Sequence, residues 1–576
     1  RDRSPSRGLG DVYKRQLSAQ VGLLQTGTNV LAIQGLNADI LDGDFLIVPE
    51  LELQAQAQIQ TQWLELYNRG TSTTDLTGWK LEDGIDFVFA PGTTIAPGAY
   101  LVVAANAAQL ATSYPGVDIV GDFSGELGNR EDSIQLTDHN GNPADEVHYY
   151  QDGYWPELAD GGGSSLELRD PHADNSKPGA WAASKEDDKT DWSSYTYRGT
   201  ALPFESDGPQ YHELVIGLLD AGQILVDDIT VIQDPNGIAR PLIQNTDFES
   251  DTLGTEADFW RIYGNHFGTV IQDPDDAGNQ VLHLTATGNA EDMHNHGETT
   301  FRNGATYYQI VPGTEYEISF RAKWLGGSNQ FNTRLYYNSA PATTRLPVPA
   351  LSGTPGAANS RSETNIGPTF SGFQHGPVVP NSGQAVTVTA VAEDPQGVSS
   401  ATLHWRTVSG SFGTWQSTTM TVSGDGTLTG TIPGRNSSTV IQFYVEAIDG
   451  LGATSLFPRA GTESRALYKV QDHQAGGGPQ KNLRIIQPTS EINFQLNQIN
   501  RMSNHRFGGT VVLNESEAFY DVGVRLKGAS SSRPSSSHGY NIRFHTDNRF
   551  LGAVSYTHLR AHETDSYLVC RLLLEK

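Results

Sequence analysis

The chain has 576 residues, and 38 Lys and Arg stand against 66 Asp and Glu, so its formal net charge is −28. This charge argues against nucleic-acid binding, which requires a concentrated cationic face. The single cysteine, Cys570, excludes a disulfide within the chain and a thiolate metal site. No apolar run approaches the ~18 residues that a membrane-spanning helix needs.

The two ends differ in composition from the rest of the chain. Residues 1–16 and roughly 555–576 resemble translated adapter sequence, which recurs at the ends of metagenomic gene predictions. Such segments belong outside fold reasoning. We therefore expect them to make few contacts with the body, and we expect the native gene to continue in both directions.

Between the ends, short alternating runs separated by turn residues predict an all-β protein of tandem β-sandwiches, immunoglobulin-like and jelly-roll. Frequent Gly, Ser, Thr and Asn with almost no Cys are typical of an exported bacterial protein, so we expect an extracellular or cell-surface location. Residues 17–54 predict two strands, and they are similar to the last strands of a galactose-binding-like sandwich whose other strands would lie upstream.

Residues 58–183 contain a run of predicted strands with a specific pattern. Four segments carry it: W-L-E-L-Y-N at 63–68, D-L-T-G-W-K-L at 75–81, P-G-T-T-I-A-P-G-A-Y-L-V-V at 91–103 and D-H-N-G at 138–141. Their order resembles the lamin tail domain, an immunoglobulin-like sandwich. The resemblance implies a core position for Trp79, a turn at Gly98, and a hydrogen-bonded strand end at Glu65 and Asn68.

Residues 186–345 predict a second sandwich that is richer in aromatic residues. Its pattern lies in V-D-D-I-T-V at 226–231, N-T-D-F-E at 245–249 and P-G-T-E-Y-E-I-S-F-R-A-K at 312–323. These segments resemble the jelly-roll carbohydrate-binding modules of plant-polysaccharide hydrolases, although the V-D-D strand usually comes last. The resemblance implies a neutral polysaccharide or cell-surface glycan as partner. The candidate sugar-binding residues are Trp260, Tyr263 and Tyr337, with Arg334 as hydrogen-bonding partner.

The same resemblance implies a structural Ca²⁺ ion between Asp228 and Glu249. Oxygen-only clusters suit calcium, so the acidic turn at 273–278 is an alternative. His294 and His296 are two apart, which on a strand places them on one face where they could share a zinc ion with a carboxylate. Polar contacts within a loop are the other interpretation of this histidine pair.

The remaining body divides at residues 346–367, a Pro-, Gly-, Ser- and Asn-rich linker. Residues 368–472 then resemble bacterial immunoglobulin or fibronectin type III repeats. In that unit Trp405, on a central strand, and Tyr444 opposite it are expected to fill the core.

Residues 481–554 follow a Gly-rich break. They contain Y-D-V-G-V-R-L-K-G at 520–528, S-S-S-R at 530–533 and Y-N-I-R-F at 540–544. These segments resemble the start of a CotH-type kinase-like domain, which implies an incomplete α+β piece. The tentative phosphate-binding residues are Lys527, Ser531, Arg533 and Arg543. Phosphoryl transfer also needs metal-binding carboxylates, which this piece lacks, so we do not expect it to be an active enzyme.

The sequence therefore favours an extracellular modular protein that binds carbohydrate or a cell surface. Two alternatives remain open. The sandwiches could be the targeting and spacer region of a CotH-type secreted kinase, or they could be spacers without a ligand. Neither the glycan nor the oligomeric state follows from the sequence.

Overall fold

The structure is a computed structural model, and it describes residues 61–202, 211–290, 294–336, 339–408, 410–474, 482–528, 533, 538–552, 556–564 and 567–571. For the last two segments it describes the backbone alone. In the described part, strands dominate and only two α-helices occur. The prediction of an all-β fold is confirmed.

The first unit is a sandwich of a three-stranded sheet, ordered β1-β6-β7, and a five-stranded sheet, ordered β10-β9-β3-β4-β8. Its elements are β1 Trp63–Tyr67, β2 Thr74–Asp75, β3 Lys80–Asp83, β4 Ile85–Val88, β5 Thr94–Ile95, β6 Tyr100–Ala104, α1 Ala107–Ser113, β7 Ile119–Gly121, β8 Ser124–Gly125, β9 Glu131–Thr137, β10 Pro143–Tyr150, β11 Leu166–Leu168 and β12 Trp181–Ala183.

The core of this sandwich includes Trp79, which was predicted to lie there. Leu81 is almost fully buried, and Trp79 packs partly buried against the same cluster. The Asn68 amide ends β1 by donating to the carbonyl oxygens of Ser72 at 2.9 Å and Ile95 at 2.8 Å. A buried amide with both N–H groups satisfied holds the strand end in place.

The second unit has a sheet ordered β13-β23-β15-β19-β18, with β16 beside β15, and a second sheet ordered β17-β20-β14-β24-β25. Its strands are β13 Ser193–Thr200, β14 Glu213–Leu218, β15 Gly222–Gln233, β16 Arg240–Pro241, β17 Trp260–Ile262, β18 His266–Gln272, β19 Gln280–Ala286, β20 Gly297–Thr300, β21 Arg302–Asn303, β22 Thr306–Tyr307, β23 Glu315–Gly327, β24 Gln330–Leu335 and β25 Ser339–Arg345.

The V-D-D segment lies in β15, at the centre of the first of these sheets, where it pairs with both β19 and β23. One continuous core lies between the two sheets and includes Ile224, Phe248, Trp324 and Phe331. The early V-D-D strand and the later segments therefore belong to one sandwich.

The third unit is a sandwich with sheets ordered β26-β27-β31-β30 and β29-β28-β32-β33, and β34 also pairs with β32. Its strands are β26 Thr369–Gly376, β27 Val386–Glu393, β28 Val398–Val408, β29 Gln416–Thr419, β30 Thr421–Val422, β31 Thr427–Ile432, β32 Val440–Asp449, β33 Thr454–Phe457 and β34 Leu467–Lys469. Trp405 is buried in the core, as expected. Tyr444 is buried too, but it pairs with His404 and stacks on that ring at 4.7 Å, on the side of the sheet away from the core, so the core role predicted for it is wrong.

The C-terminal unit is a closed barrel, ordered β35 to β40 around the ring, with one short helix. Its elements are β35 Asn482–Ile486, α2 Thr489–Leu496, β36 Phe507–Leu513, β37 Glu517–Lys527, β38 Gly539–Arg543, β39 Tyr556–Thr564 and β40 Tyr567–Arg571. The last two strands pair with β38 and β35 and complete the barrel. The expectation that residues 555–576 make few contacts is therefore wrong for these strands, while their origin as adapter sequence stays a prediction.

The C-terminal unit contacts all three sandwiches. Arg543 pairs with Asp152 of the first unit at 2.7 Å. The Asn504 amide donates to Asn295 Oδ1 of the second unit at 2.8 Å. His375 Nδ1 of the third unit lies 2.6 Å from the Tyr520 hydroxyl.

Candidate functional site

The outward side of the sheet β17-β20-β14-β24-β25 carries a polar and aromatic cluster, and we call it the front face. Along β24, Phe331 and Leu335 are buried in the core, whereas Arg334 alternates with them and points away from it. Strand pairing places Val215 opposite Glu298 on one side and Arg334 on the other. Residues that lie directly opposite one another on neighbouring strands point to the same face of a sheet. Since Arg334 points away from the core, Val215 and Glu298 share the front face with it.

An ion pair lies at the centre of the front face. Arg261 of β17 and Glu298 of β20 are direct cross-strand partners, and the guanidinium donates to Glu298 Oε1 from Nε at 2.9 Å and from Nη2 at 2.7 Å. Burial opposes ionisation of Glu298, but hydrogen bonds from His296 and Arg261 hold its pKa below the usual range. The carboxylate therefore stays charged at neutral pH.

His296 is buried beside this pair, with Nε2 at 3.2 Å from Glu298 Oε2. Burial lowers the pKa of His296, and the nearby Arg334 lowers it further, while the hydrogen bond to Glu298 opposes the shift. At neutral pH the contact is therefore a hydrogen bond from a neutral imidazole to a carboxylate. This bond fixes which nitrogen of His296 carries the proton.

A tight turn brings the Tyr263 ring to the histidines. The ring centroid of Tyr263 lies 6.2 Å from those of His294 and His296. Gly264, which follows, has a φ of +71°, and a Cβ there would lie 1.9 Å from the His294 carbonyl oxygen. Only glycine fits so close an approach. Burial, and then the Glu298 charge, raise the pKa of Tyr263, so its hydroxyl stays protonated.

A second aromatic pair lies at the other end of the same face. The rings of Tyr211 and Tyr336 are 4.8 Å apart between centroids. Burial raises the pKa of Tyr336 to about 12, with contributions from Glu298 and Tyr211. The front face thus presents rings at two ends and charged hydrogen-bonding groups between them. Such an arrangement can stack on the apolar C–H faces of a sugar while binding its hydroxyl groups.

The structure separates the four predicted sugar-binding residues. Tyr263 and Arg334 lie on the front face. Trp260 is 5% exposed and belongs to the core, where its indole Nε1 donates to the Asn245 carbonyl oxygen at 3.1 Å. Its prediction as a sugar platform is wrong, because its side chain points toward the facing sheet. Tyr337 lies outside the described residues.

The predicted calcium ligands have protein partners of their own. Asp228 lies 3.2 Å from Arg321 Nε, and Glu249 Oε1 accepts from the Gln280 amide at 2.8 Å. In the alternative acidic turn, Asp275 pairs with Lys323 at 2.6 Å. Among the residues that the structure describes, no three His, Cys, Asp or Glu side chains are grouped to hold a metal ion. Asp292, next to the histidine pair, lies outside the described residues, so calcium binding and the zinc alternative both stay predictions.

Three of the four predicted phosphate-binding residues lie in the described part of the chain, and their surroundings differ. Arg533 is 1% exposed, and its guanidinium donates to the carbonyl oxygens of Gly528 at 2.6 Å and Ser503 at 2.8 Å. Arg543 is bound to Asp152. Both arginines therefore have protein partners. Burial contradicts the phosphate role predicted for Arg533, whereas Arg543 has a partly exposed side chain and its phosphate role stays a prediction. Lys527 ends β37 and is exposed, while Ser531 lies outside the described residues.

Arg261 and Tyr211 were not predicted as site residues, and Glu298 was considered only as a metal-binding carboxylate beside the histidine pair. A usable signal was the alternation in F-W-R-I-Y at 259–263. If Trp260 and Ile262 face inward, then Arg261 and Tyr263 face outward together.

A comparison with known protein families identifies one domain of the chain, in the region of the first sandwich. The chain is an all-β protein of several sandwich units. Its residues 46–151 match the family model of the Lamin Tail Domain, whose match begins and ends upstream of the predicted limits at 58 and 183. No curated protein matches the chain.

Two solved structures show weak similarity. The pullulanase from Bacillus acidopullulyticus is 12% identical, over 47% of this chain and 34% of that one, with a TM-score of 0.10. The type II cohesin dyad from the adaptor ScaA scaffoldin of Acetivibrio cellulolyticus is 8% identical, over 46% of this chain and 90% of that one, with a TM-score of 0.11. The chain thus spans about a third of the pullulanase. Among the described residues, no helix is long and apolar enough to cross a membrane.

An open cleft of about 1520 Å³ runs along the first sandwich, lined by both of its sheets. Burial raises the pKa of Glu65 in this cleft to about 7, and Glu167 nearby adds to the shift. The family match begins at residue 46, and its residues 46–60 lie outside the described residues. We therefore place the candidate site on the front face of the second sandwich.

Proposed function

We propose that the protein is an extracellular modular binding protein and that the front face of its second sandwich binds carbohydrate. One observation carries the proposal. Arg261, Tyr263, Glu298, Arg334 and Tyr336 lie on one sheet face, and the charged groups stand between the rings. The spacer alternative gives no reason for these side chains to converge.

The chemistry of the face suits a polyhydroxylated ligand. Glu298 accepts hydrogen bonds and Arg261 donates them, so each hydroxyl group of a sugar can find a partner of either kind. Their mutual ion pair holds both groups in place before the ligand arrives, which lowers the entropy lost on binding. The ring of Tyr263 supplies an apolar surface next to them.

A neutral polysaccharide, such as a β-glucan or a xylan, is the ligand class that we propose. The chain as a whole carries a net charge of −28, and this field repels acidic glycans. We expect modest affinity, because a shallow sheet face leaves much of the ligand solvated. We also retain structural calcium in this sandwich as a proposal, between Asp228 and Glu249.

The test is affinity electrophoresis of the full chain through gels that contain β-glucan or xylan. The front-face variants are Tyr263→Ala and Arg334→Ala. Tyr67→Ala is the matched control, because Tyr67 is exposed and lies in the first sandwich. We expect at least one neutral polysaccharide to retard the wild-type chain and the control, and we expect each front-face variant to bind about fivefold to tenfold more weakly.

If no neutral polysaccharide retards the wild-type chain, the proposal fails and the spacer interpretation is favoured. Binding that survives both front-face variants would place the glycan elsewhere on the protein. The alternative of a targeting region for a CotH-type kinase would need phosphoryl transfer by a longer form of the chain.

A further inference from the structure

Two exposed aromatic rings and an arginine extend the front face beyond Tyr336. They are Phe259, Tyr307 and Arg302, and we call them the rim strip. Phe259 is 45% exposed and Tyr307 is 61% exposed. The Arg302 guanidinium carbon lies 4.9 Å from the centroid of the Phe259 ring and 5.7 Å from that of Tyr307. One cation is thus shared by two rings that face solvent.

The rim strip lies on the same side of the sheet as the central ion pair. Phe301 is fully buried in the core, so Thr300 and Arg302 on either side of it point outward, as Glu298 does. Phe259 lies just before β17, and the contact with the Arg302 guanidinium places its ring beside that outward side chain. Six residues separate His296 from Arg302, which at ~3.3 Å per residue corresponds to roughly 20 Å. The front face with its rim strip is therefore long enough for several sugar rings in a row.

Burial does not explain the rim strip. Large rings that face solvent next to one another are uncommon on a protein that does not use them. Within the described part of the chain, Arg302 has no carboxylate partner. In that part its hydrogen bond runs from Nε to the Gly304 carbonyl oxygen at 3.1 Å. Its terminal nitrogens can therefore donate to a ligand that stacks on the rings, and hydroxyl groups are suitable acceptors.

We propose that the rim strip is a distal subsite of the carbohydrate site, so that the ligand is a polysaccharide chain rather than a mono- or disaccharide. The inference rests on the proposed function, since it extends the same face. Tyr307 and Phe259 supply stacking surfaces, and Arg302 fixes the orientation of the sugar between them. A short oligosaccharide occupies the central cluster alone, whereas a longer one reaches the rim strip.

The experiment uses the full chain and isothermal titration calorimetry with two neutral series, cellobiose against cellohexaose and xylobiose against xylohexaose. The variants are Tyr307→Ala, Tyr307→Phe and Arg302→Lys, and Tyr67→Ala is the control. The wild-type chain should bind the hexaose of one series about tenfold more tightly than its biose. Tyr307→Ala should bind the hexaose about fivefold to tenfold more weakly than wild type and bind the biose with unchanged affinity. Tyr307→Phe should retain the preference for the longer chain.

Failure of this inference differs from failure of the proposed function. If the wild-type chain binds neither the oligosaccharides nor the parent polysaccharides, both are overturned. If the hexaose and the biose bind equally, or if Tyr307→Ala weakens both by the same factor, the distal subsite is overturned while sugar binding at the central cluster stands. Tyr307 is mostly exposed, and an unchanged melting temperature of its variants will verify that they are folded.

Discussion

The opposite orientations of Trp260 and Tyr263, three residues apart, lead to a specific prediction. Trp260 packs in the core with its ring centroid 6.1 Å from that of Phe248, whereas Tyr263 is half-buried on the front face. We expect Trp260→Ala to lose stability and Tyr263→Ala to lose sugar affinity. Folded Trp260→Ala should bind the sugar nearly as well as wild type, and Tyr263→Ala should be nearly as stable as wild type.

The magnitudes follow from burial. Truncation of a buried Trp to Ala usually costs about 3–5 kcal/mol, because apolar contacts are lost and a cavity remains. For a unit of this size, such a loss lowers the melting temperature by on the order of 10 °C. Tyr263→Ala should cost under ~1 kcal/mol of stability, but it removes one stacking surface and weakens binding about fivefold to tenfold.

Differential scanning calorimetry and affinity electrophoresis of the same preparations measure the two effects. Trp260→Phe is the control, since it keeps an aromatic ring in the core and should recover most of the stability. A Trp260→Ala chain that melted like wild type but no longer bound the polysaccharide would refute the inward assignment. Unchanged binding by Tyr263→Ala would remove Tyr263 from the site.

Arg543→Ala leaves the buried Asp152 carboxylate without its charged partner, so calorimetry should show a loss of roughly 2 kcal/mol, with a smaller loss for Arg543→Lys. Burial lowers the pKa of His375 to about 4. The unfolded chain therefore binds a proton at His375 more tightly than the folded chain does, and the folded state loses roughly 2–3 kcal/mol of stability as the pH falls from 6.5 toward 4. Urea titrations should show a smaller loss over this pH range in His375→Gln than in wild type, because His266 and His505, whose pKa values burial also lowers, keep their own contributions. Millimolar Ca²⁺ should raise the melting temperature of the wild-type chain, and a chelator should reverse the rise. If Ca²⁺ does not raise the melting temperature of Asp228→Asn, the Asp228 carboxylate is responsible for the effect.

Strand periodicity predicted much of the fold, and it placed some of the site. The alternation in β24 was enough to put Arg334 on the face opposite Phe331 and Leu335. In the segment around β17 both faces carry aromatic rings, so periodicity could not decide between Trp260 and Tyr263. The answer depends on which side of the sheet meets the other sheet, and this is a property of the assembled sandwich.

Contacts between distant segments could not be predicted from the sequence. The pair of Arg261 and Glu298 depends on the register of β17 against β20, which are 37 residues apart at this point. Arg543 meets Asp152 across 391 residues. In the sequence Arg543 was one of several cations near a serine-rich loop, and a phosphate role was reasonable for it. Docking of the C-terminal unit onto the first sandwich gave it a different partner.

The C-terminal unit also takes part in shaping the front face. His294 Nδ1 donates to the Ile499 carbonyl oxygen at 2.8 Å, and Asn295 Oδ1 accepts from the amides of Asn265 at 3.1 Å and Asn504 at 2.8 Å. These bonds hold the turn that leads into His296, whose imidazole in turn orients Glu298. If the front face binds the proposed glycan in this arrangement, we expect release of the turn to weaken binding, so that occupancy of the front face and docking of the C-terminal unit stabilise one another.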